Sequence, residues 1–502
     1  MAEPTSAYPA GMQKAQDLLS ARTGGPPDEE RQKFLRDAAK VDPVRASRYA
    51  TAETYYNGDQ KTYVTDRLRS YLEASGLSYQ ENFCETVVDA LVERLAVIGF
   101  VTGDPGLDEW LWTVWWDQNR GDELQLDVHE TMAKKGDAFV FLEWDATAGA
   151  VRAYVNPPDH INPHYYERRL QWVAKVWDCD DVSPTNPAGM AVKRMNLYYP
   201  DRVEKWFTPA KTDDAKAIWG RWLDDGDKAW PIPLIYEQKP LGIPVFHFAN
   251  KARGDGFGRP EHWGTIPQQD RLNKELLDLS TVLDQLGYPQ RYATGLSDTS
   301  SLKSVPGEVW TTDATDGSFG QFDAANPEGM LKAIATTLLR IATRSNTPAH
   351  RFTLEGGYPS GEALKVAEAG LVAKTRSRQV KAGGAWSAMA QMATALAIVN
   401  GTGSSATPGL DMETLMGLSI NPTWADPETR NEKEHLETLQ LMHGLGVSTQ
   451  TLLTMMPGID AAQEQKLRKK EDDASAQRQA EMMDAGSIMM PPRNGSTEPL
   501  TS

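Results

Sequence analysis

Residues 267–287, PQQDRLNKELLDLSTVLDQLG, place leucines along one side of a helix. The steps between these leucines alternate between four and three residues, which is the heptad pattern of a helix that packs lengthwise against another helix. Gly287 and Pro289 end the pattern. The stretch therefore predicts one long helix of a pair. We expect its packing residues to be buried against neighbouring helices, within one chain or between subunits. These residues are Leu272, Leu276, Leu279, Leu283 and Leu286.

A second helix is predicted to begin near Pro327, because apolar residues again recur on one side, among them Ile334, Leu338 and Ile341. The sequence between the two helices is rich in turn-forming residues and in short strand-like pieces. Two helices therefore bracket a small β-containing insertion at residues 288–326.

The stretch after the second helix, NTPAHRFTLEGGYPSG, ends with glycines spaced as in a phosphate-binding loop. A working loop of that class continues with Lys and then Ser or Thr, whereas Glu362 and Ala363 follow here. Glu362 suits a helix N-terminus and repels phosphate, and Ser360 is a good N-cap. Two interpretations remain: a tight turn between helices, or a mobile loop beside something that passes without binding.

A helix about 60 Å long is predicted from Gly361 to Asn400, with a bend at Gly383–Gly384. Helical patterns return at about 427–443, 449–456 and 461–483. In the first half, helical stretches alternate with strand-like ones. The sequences DAFVFLEWD and AVRAYVNP, for example, flank the turn ATAG and predict a hairpin. The predicted fold is mixed α+β, helix-rich and multidomain.

Composition excludes several classes of function. The 502 residues carry a net charge of −17, which disfavours a protein that grips nucleic acid through its phosphates. No apolar run approaches the roughly 18 residues of a membrane span, and no signal peptide pattern opens the sequence. We therefore expect an intracellular origin and no membrane contact.

Searches for catalytic and metal-binding patterns find none that is complete. In RGDGFGRP, Arg259 stands where a dinucleotide-binding loop needs its third glycine. Pro163 keeps His160 and His164 off a common helical face, where they could share a metal ion. His129 opens a His-Glu pair that has no second histidine, and no nucleophile elbow occurs. We predict no catalytic residue, no metal site and no cofactor, and an enzyme remains only as an alternative.

The order of these pieces resembles the portal proteins of tailed bacteriophages, particularly those of phages of Gram-positive and actinobacterial hosts. The likeness spans about residues 50 to 435, and its specificity lies in the order and spacing of its segments. Those segments are TYYNGDQ (54–60), ENFCETVVDALVERLAVIGF (81–100), KKGDAFVFLEWD (134–145), IPVFHFAN (243–250), GYPQRYATG (287–295), GGYPSGEALK (356–365) and INPTWADPETR (420–430).

The resemblance implies a non-enzymatic virion protein, assembled in the host cytoplasm into a ring of usually twelve subunits at one capsid vertex. Double-stranded DNA would enter and leave through the ring without sequence-specific binding. The implied partners are the major capsid and scaffolding proteins, the terminase large subunit and the head-completion adaptor protein. Another oligomeric virion component, such as a head–tail connector ring, is the alternative.

Portal subunits have a wing, a two-helix stem, a small clip, a loop facing the tunnel, and a helical crown. The resemblance places His350, Arg351, Thr353 and Glu355 on the tunnel loop, facing the DNA. The expected division is 1–27 flexible N-terminus, 28–258 wing, 259–287 first stem helix, 288–326 clip, 327–346 second stem helix, 347–360 tunnel loop, 361–420 long wing helix and return, 421–484 crown and 485–502 disordered tail.

Overall fold

The computed structural model describes residues 27–61, 80–210, 214, 216–224, 227, 229–252, 254, 256–287, 291–295, 310–311, 315–321, 326–352, 361–401, 407, 409–428 and 439–444. The chain divides into two compact units, residues 1–428 and residues 429–502. In the second unit, residues 439–444 are helical. Helices and strands in the first unit confirm a mixed α+β fold.

The helices are α1 (Glu29–Ala38), α2 (Pro43–Asn57), α3 (Cys84–Val92), α4 (Pro105–Trp110, continued by a π-helical turn Leu111–Trp116), α5 (Gly121–Lys135), α6 (Ile266–Gly287), α7 (Glu328–Ser345), α8 (Gly361–Asn400) and α9 (Met412–Gly417). The strands are β1 (Val97–Val101), β2 (Asp137–Asp145), β3 (Ala150–Asn156), β4 (Ile161–Tyr166), β5 (Arg169–Cys179), β6 (Val192–Tyr198), β7 (Arg202–Pro209), β8 (Gly220–Arg221), β9 (Ile232–Pro233), β10 (Ile235–Tyr236), β11 (Lys239–Pro240), β12 (Val245–Ala249), β13 (Arg291–Thr294), β14 (Ser318–Gln321) and β15 (Asn421–Trp424).

Strand β2 is the centre of an antiparallel sheet ordered β12–β2–β3, and both of its faces are buried. Successive side chains of a strand point to opposite faces. Val140 and Leu142 therefore join a large core built mainly from helices, whereas Phe139 and Phe141 pack towards β4 and β5. The run AFVFL is apolar without alternation because a strand between two layers has no solvent face.

The helical core forms around the second half of α8. Trp386 is fully buried beside Trp116 and Phe248, with ring centroids 5.5 Å and 5.2 Å away. Ala390 and Ala393 are also fully buried, and such small residues let α8 lie close to the sheet. Helix α8 runs from Gly361 to Asn400, as predicted.

By length and composition alone, α8 could cross a membrane between Ala363 and Asn400. The sequence analysis did not anticipate this, because charged residues interrupt the first half of the helix. Of the most apolar 18-residue stretch of α8, 56% is buried inside the protein. A core helix of this kind meets the same length and composition criteria.

His129 is a core histidine. Its side chain is fully buried, Nδ1 lies 3.0 Å from the Leu95 carbonyl oxygen, and the Trp386 indole N–H donates to Nε2 at 3.1 Å. A ring that accepts at Nε2 carries its proton on Nδ1. Burial lowers the pKa of His129 to about 4, although the hydrogen bond to Leu95 opposes that shift.

The second large sheet is antiparallel, with β4–β5–β6–β7–β8 in order and β9 paired with β7. Helix α1 covers it: Leu35 packs on Trp206, and Gln32 exchanges two 2.9 Å hydrogen bonds with the main chain of Trp219. A glutamine that pairs with a main chain in this way mimics one step of a β-ladder. It thereby satisfies polar groups that the helix buries.

Strand β15 pairs antiparallel with β1, with Val97 opposite Trp424. The sequence analysis assigned residue 421 and beyond to a helical crown, and for 421–424 that assignment is wrong. The apolar face of this short strand contacts α8, and the first compact unit continues to Glu428. Four residues are too few for alternation to be read from the sequence.

Helices α6 and α7 form an antiparallel hairpin. The hydroxyl of Thr337 donates to Glu275 at 2.8 Å, and Arg344 donates to the carbonyl oxygen of Gly264. The hairpin core contains Leu272, which is 1% exposed, and Ile341 at the same level. The prediction of two packed helices around an insertion is confirmed.

We predict that His129 makes stability depend on pH. Between pH 6.5 and 4 the unfolded chain binds a proton that folded His129 does not, so the free energy of unfolding falls as the pH falls through this window. The loss attributable to His129 is about 3 kcal/mol. In His129→Gln the free energy of unfolding should depend less steeply on pH, because unfolding takes up about one proton fewer than in the wild type. Denaturant titrations between pH 4 and 7 measure this dependence. An unchanged slope would contradict the assignment.

The hairpin predicts a contrast between two of its leucines. Leu272→Ala should lower the free energy of unfolding of the unassembled chain by about 2–5 kcal/mol, because it leaves a cavity between the helices. Leu283→Ala, at a position that is 50% exposed, should change it by no more than about 0.5 kcal/mol. Tryptophan fluorescence during denaturant titration measures both. Equal losses would show that the exposed end of the hairpin is packed as tightly as its base.

Candidate functional site: the hairpin and the segment before the long helix

The predicted leucine seam is present only near the base of the hairpin. Leu272 is buried, and Leu276 and Leu279 are partly buried against the same cluster. Leu283 is half exposed in the single chain, and its predicted packing within the chain or between subunits stays a prediction. The antiparallel register set by Glu275 and Thr337 places it opposite about residue 329, a glycine without a side chain to cover it. The side chain of Leu286 lies outside the described residues.

Leu277 is 2% exposed and was not predicted. It lies one position after Leu276, off the heptad seam, and a heptad pattern alone gives no signal for it. Its burial means that α6 is covered on more than the side that faces α7.

The insertion carries a two-stranded antiparallel ribbon. In this ribbon β13 pairs with β14, with Arg291 opposite Gln321 and Thr294 opposite Ser318. Trp310 approaches Phe319 with a centroid distance of 6.0 Å. The expected β-containing character of residues 288–326 is present in the part of the insertion that the structure describes, and the remaining residues lie outside it.

The segment after α7 is fixed by side chains from distant parts of the chain. Ala349–Arg351 form a 3₁₀ turn, and Phe352 is 7% exposed with its ring 5.6 Å from that of Phe83. Arg351 donates to Glu93 at 2.7 Å, and His350 Nε2 lies 3.9 Å from Glu368. The sequence analysis left a tight turn and a mobile loop as alternatives for the stretch that contains this segment. It missed these contacts because they join residues far apart in sequence.

The other predicted tunnel-loop residues cannot be placed in the same way. Thr353, Glu355 and Ser360 lie outside the described residues. Glu362 belongs to the first turn of α8, but its side chain also lies outside them. The assignment of these residues to a DNA-facing loop therefore stays a prediction.

A buried charge cluster lies where the hairpin joins α8. Glu261 is 2% exposed, and its carboxylate lies 2.9 Å from Lys251, 3.2 Å from Arg378 and 3.6 Å from Lys374. The amide of Asn250 also donates to Glu261, at 3.1 Å. Burial alone would raise the pKa of Glu261, but the three cations outweigh it and lower the pKa to about 2.

The basic residues of α8 differ in their exposure. Lys374 and Arg378 are both buried against Glu261. Arg376 is exposed and approaches Asp426 at 3.6 Å. The difference was not visible in the sequence because the buried partner, Glu261, lies more than a hundred residues earlier.

A second buried cluster links the two sheets. Asp137 on β2 accepts hydrogen bonds from Tyr49 at 2.8 Å and from the main chain of Gly258 at 2.6 Å, and its other contact is His247 Nε2 at 2.7 Å. The Nδ1 atom of His247 lies 2.7 Å from the hydroxyl of Tyr165 on β4. Burial alone would raise the pKa of Asp137, whereas these hydrogen bonds lower it. All of these groups are engaged with one another, so the cluster acts as a polar tie between layers.

Among the described residues, no group of three or more His, Cys, Asp or Glu side chains is arranged to hold a metal ion. Two of the three histidines singled out in the sequence have other partners. His129 is bonded in the core, and His164 stacks on Trp172 at 5.0 Å.

Most of the chain is similar in sequence to known proteins. A family model described as "Phage portal protein, SPP1 Gp6-like" matches residues 39–479. The portal protein of Mycobacterium phage D29 is 23% identical over 418 residues, and that of Mycobacterium phage L5 is 24% identical over 415 residues. Each alignment covers 78% of this chain and 78% of the relative.

Two solved structures are also similar. A chain from the neck of a native gene transfer agent particle, computed with C12 symmetry, has a TM-score of 0.39 and 11% identity, over 75% of this chain and 88% of that one. A chain from the virion of a native gene transfer agent particle has a TM-score of 0.39 and 12% identity, over 87% and 95%.

The family match covers most of the chain, and both curated relatives come from phages of an actinobacterial host, as the sequence resemblance implied. The chain thus belongs to the SPP1 Gp6-like family of phage portal proteins, which are structural components of the virion.

Proposed function

We propose that this protein forms the ring at one capsid vertex through which double-stranded DNA is packaged and later ejected. Family membership supports the portal role. The strongest structural support is the α6–α7 hairpin. Its two helices pack together at their base, and a β-containing insertion connects their other ends. In this proposal the hairpin is the stem and the insertion is the clip.

The outer surface of the hairpin suits assembly into a ring of twelve subunits. Leu331 and Leu339 are each 52% exposed on α7, and Leu283 is 50% exposed on α6. Single exposed leucines are common on protein surfaces. Several on one hairpin, in a protein of a ring-forming class, are more economically explained by burial against the neighbouring subunits.

Charge suits a channel through which DNA slides. Twelve copies with a net charge of −17 carry about −200, and a wall with that excess of negative charge repels phosphates. His350 and Arg351, with Thr353 and Glu355, would lie nearest the DNA. Because Arg351 is already paired with Glu93, its contacts with phosphate would compete with an existing ion pair and would be weak.

The clip would contact the terminase large subunit during packaging and the head-completion adaptor afterwards, while the wing would meet the major capsid and scaffolding proteins. Turn-rich surface segments suit such an exchange of partners. The alternative is another oligomeric virion component, such as a head–tail connector ring. An enzyme with an unrecognised site is a more distant alternative.

Imaging tests the assembly. Negative-stain micrographs of the purified protein should show rings with a central hole and twelve-fold or thirteen-fold symmetry. Empty procapsids that have not yet received DNA should already contain the protein at one vertex, because DNA enters through a portal. Compact monomers would refute the ring, and a protein that joins the particle only after packaging would favour the connector.

Deletion of Thr353–Gly357 tests the tunnel loop. We expect rings to form normally, since the stem leucines and Phe352 remain in place. DNA translocation, or retention of DNA in the filled head, should change, and DNA protected from nuclease inside particles measures both. Deletion of the same number of residues from 496–500, in the expected C-terminal tail, is the control for a shortened chain and should leave packaging and retention unchanged. Normal packaging and retention in the Thr353–Gly357 variant would contradict the assignment.

A further inference from the structure

The chain enters and leaves the α6–α7 hairpin at one place. It enters through the 3₁₀ turn Glu261–Gly264 and returns at Arg344–Thr347, and we call these two segments together the hairpin foot. Arg344 donates to the carbonyl oxygen of Gly264, so the two segments also contact each other. The hairpin foot is therefore where the hairpin is covalently joined to the rest of the protein. Helix α6 makes further contacts beyond the foot, such as the 2.7 Å hydrogen bond from the Tyr55 hydroxyl to Asp270.

One side chain of α8 contacts both segments of the hairpin foot. The ammonium of Lys374 donates to the carbonyl oxygen of Ser345 at 2.9 Å and lies 3.6 Å from the carboxylate of Glu261. Ser345 is the last residue of α7, and a cation there also complements the negative end of the helix. The Lys374 side chain is only 4% exposed, so water competes little for either contact.

The charges around Glu261 are unequal. One carboxylate is surrounded by Lys251, Lys374 and Arg378, and Lys251 is the nearest of them. Removal of one partner from a buried ion pair is costly because it leaves an uncompensated charge. At Glu261, the departure of Lys374 leaves two cations in place, so the carboxylate stays paired.

We propose that Lys374 is the positioning residue of a latch, which holds both segments of the hairpin foot against α8 and can open without leaving Glu261 unpaired. Closed, the latch sets the direction in which the hairpin leaves the protein. Open, it frees the Arg344–Thr347 segment, while Arg378 still holds Glu261 to α8 and the buried second half of α8 stays in the core. This inference does not depend on ring formation or on DNA.

Hydrogen–deuterium exchange of the purified full-length protein at neutral pH tests the latch. In Lys374→Met, peptides that cover 338–352 should exchange at least about tenfold faster. Peptides that cover 261–272, which Arg378 still holds at Glu261, and peptides from β5 to β7 should stay within about twofold of the wild type. Lys374→Arg keeps the charge and the donors, and it should restore most of the protection. Lys332→Met removes an exposed lysine from the hairpin itself and should change neither region.

Two outcomes would overturn the proposal. Equal acceleration of all peptides in Lys374→Met would mean that Lys374 stabilises the whole fold and does not act locally. Unchanged exchange at 338–352 would mean that Lys374 does not hold that segment of the hairpin foot.

The wild-type protein supplies an independent test if Lys374→Met does not fold. Under increasing denaturant, amides of the Arg344–Thr347 segment should exchange through a local opening that requires less denaturant than exchange in β2 and in residues 386–397. If these amides exchange only with global unfolding, there is no latch.

Discussion

The burial of strand β2 on both faces is the constraint on which the rest of the first unit depends. Alternate side chains of this strand enter two different cores, so the helical layer and the six-stranded sheet are positioned by the same backbone. Displacing β2 would therefore disturb both layers at once. The polar tie from Asp137 through His247 to Tyr165 crosses the same junction. Its hydrogen bonds are directional, so they fix the orientation of the layers more strictly than apolar packing does.

Much of the architecture could be predicted from the periodicity of apolar residues and from the residues that begin or end helices and strands. The limits of α8 were predicted because a forty-residue helical pattern begins and ends at clear signals, and the β2–β3 hairpin because a turn lies between apolar strands. The failures have a different origin. The burial of Lys374 and the fixation of Phe352 were not predicted, because the partners of both residues are distant in sequence. For Leu283, the heptad pattern gives the side of the helix but not how far a partner within the same chain extends along it.

The acidic surface and the basic interior of the hairpin junction serve different purposes. Positive charge on α8 is partly withdrawn from solvent, since Lys374 and Arg378 surround Glu261. This withdrawal leaves the exterior more acidic than the residue count alone indicates. In the proposed DNA channel such an arrangement would be useful, because the buried cations contribute to folding and are not presented to phosphate.

The pairing of β1 with β15 has a consequence for synthesis on the ribosome. Val97 meets Trp424, so β1 has no strand partner until nearly the whole first unit has emerged. Trp386 and its neighbours also arrive late, although they fill the core to which Trp115 and Trp116 contribute much earlier. Early segments must therefore wait with apolar surface uncovered, a condition that slows folding and invites association between nascent chains. The order of translation thus makes chaperone protection most valuable before residue 424 is reached.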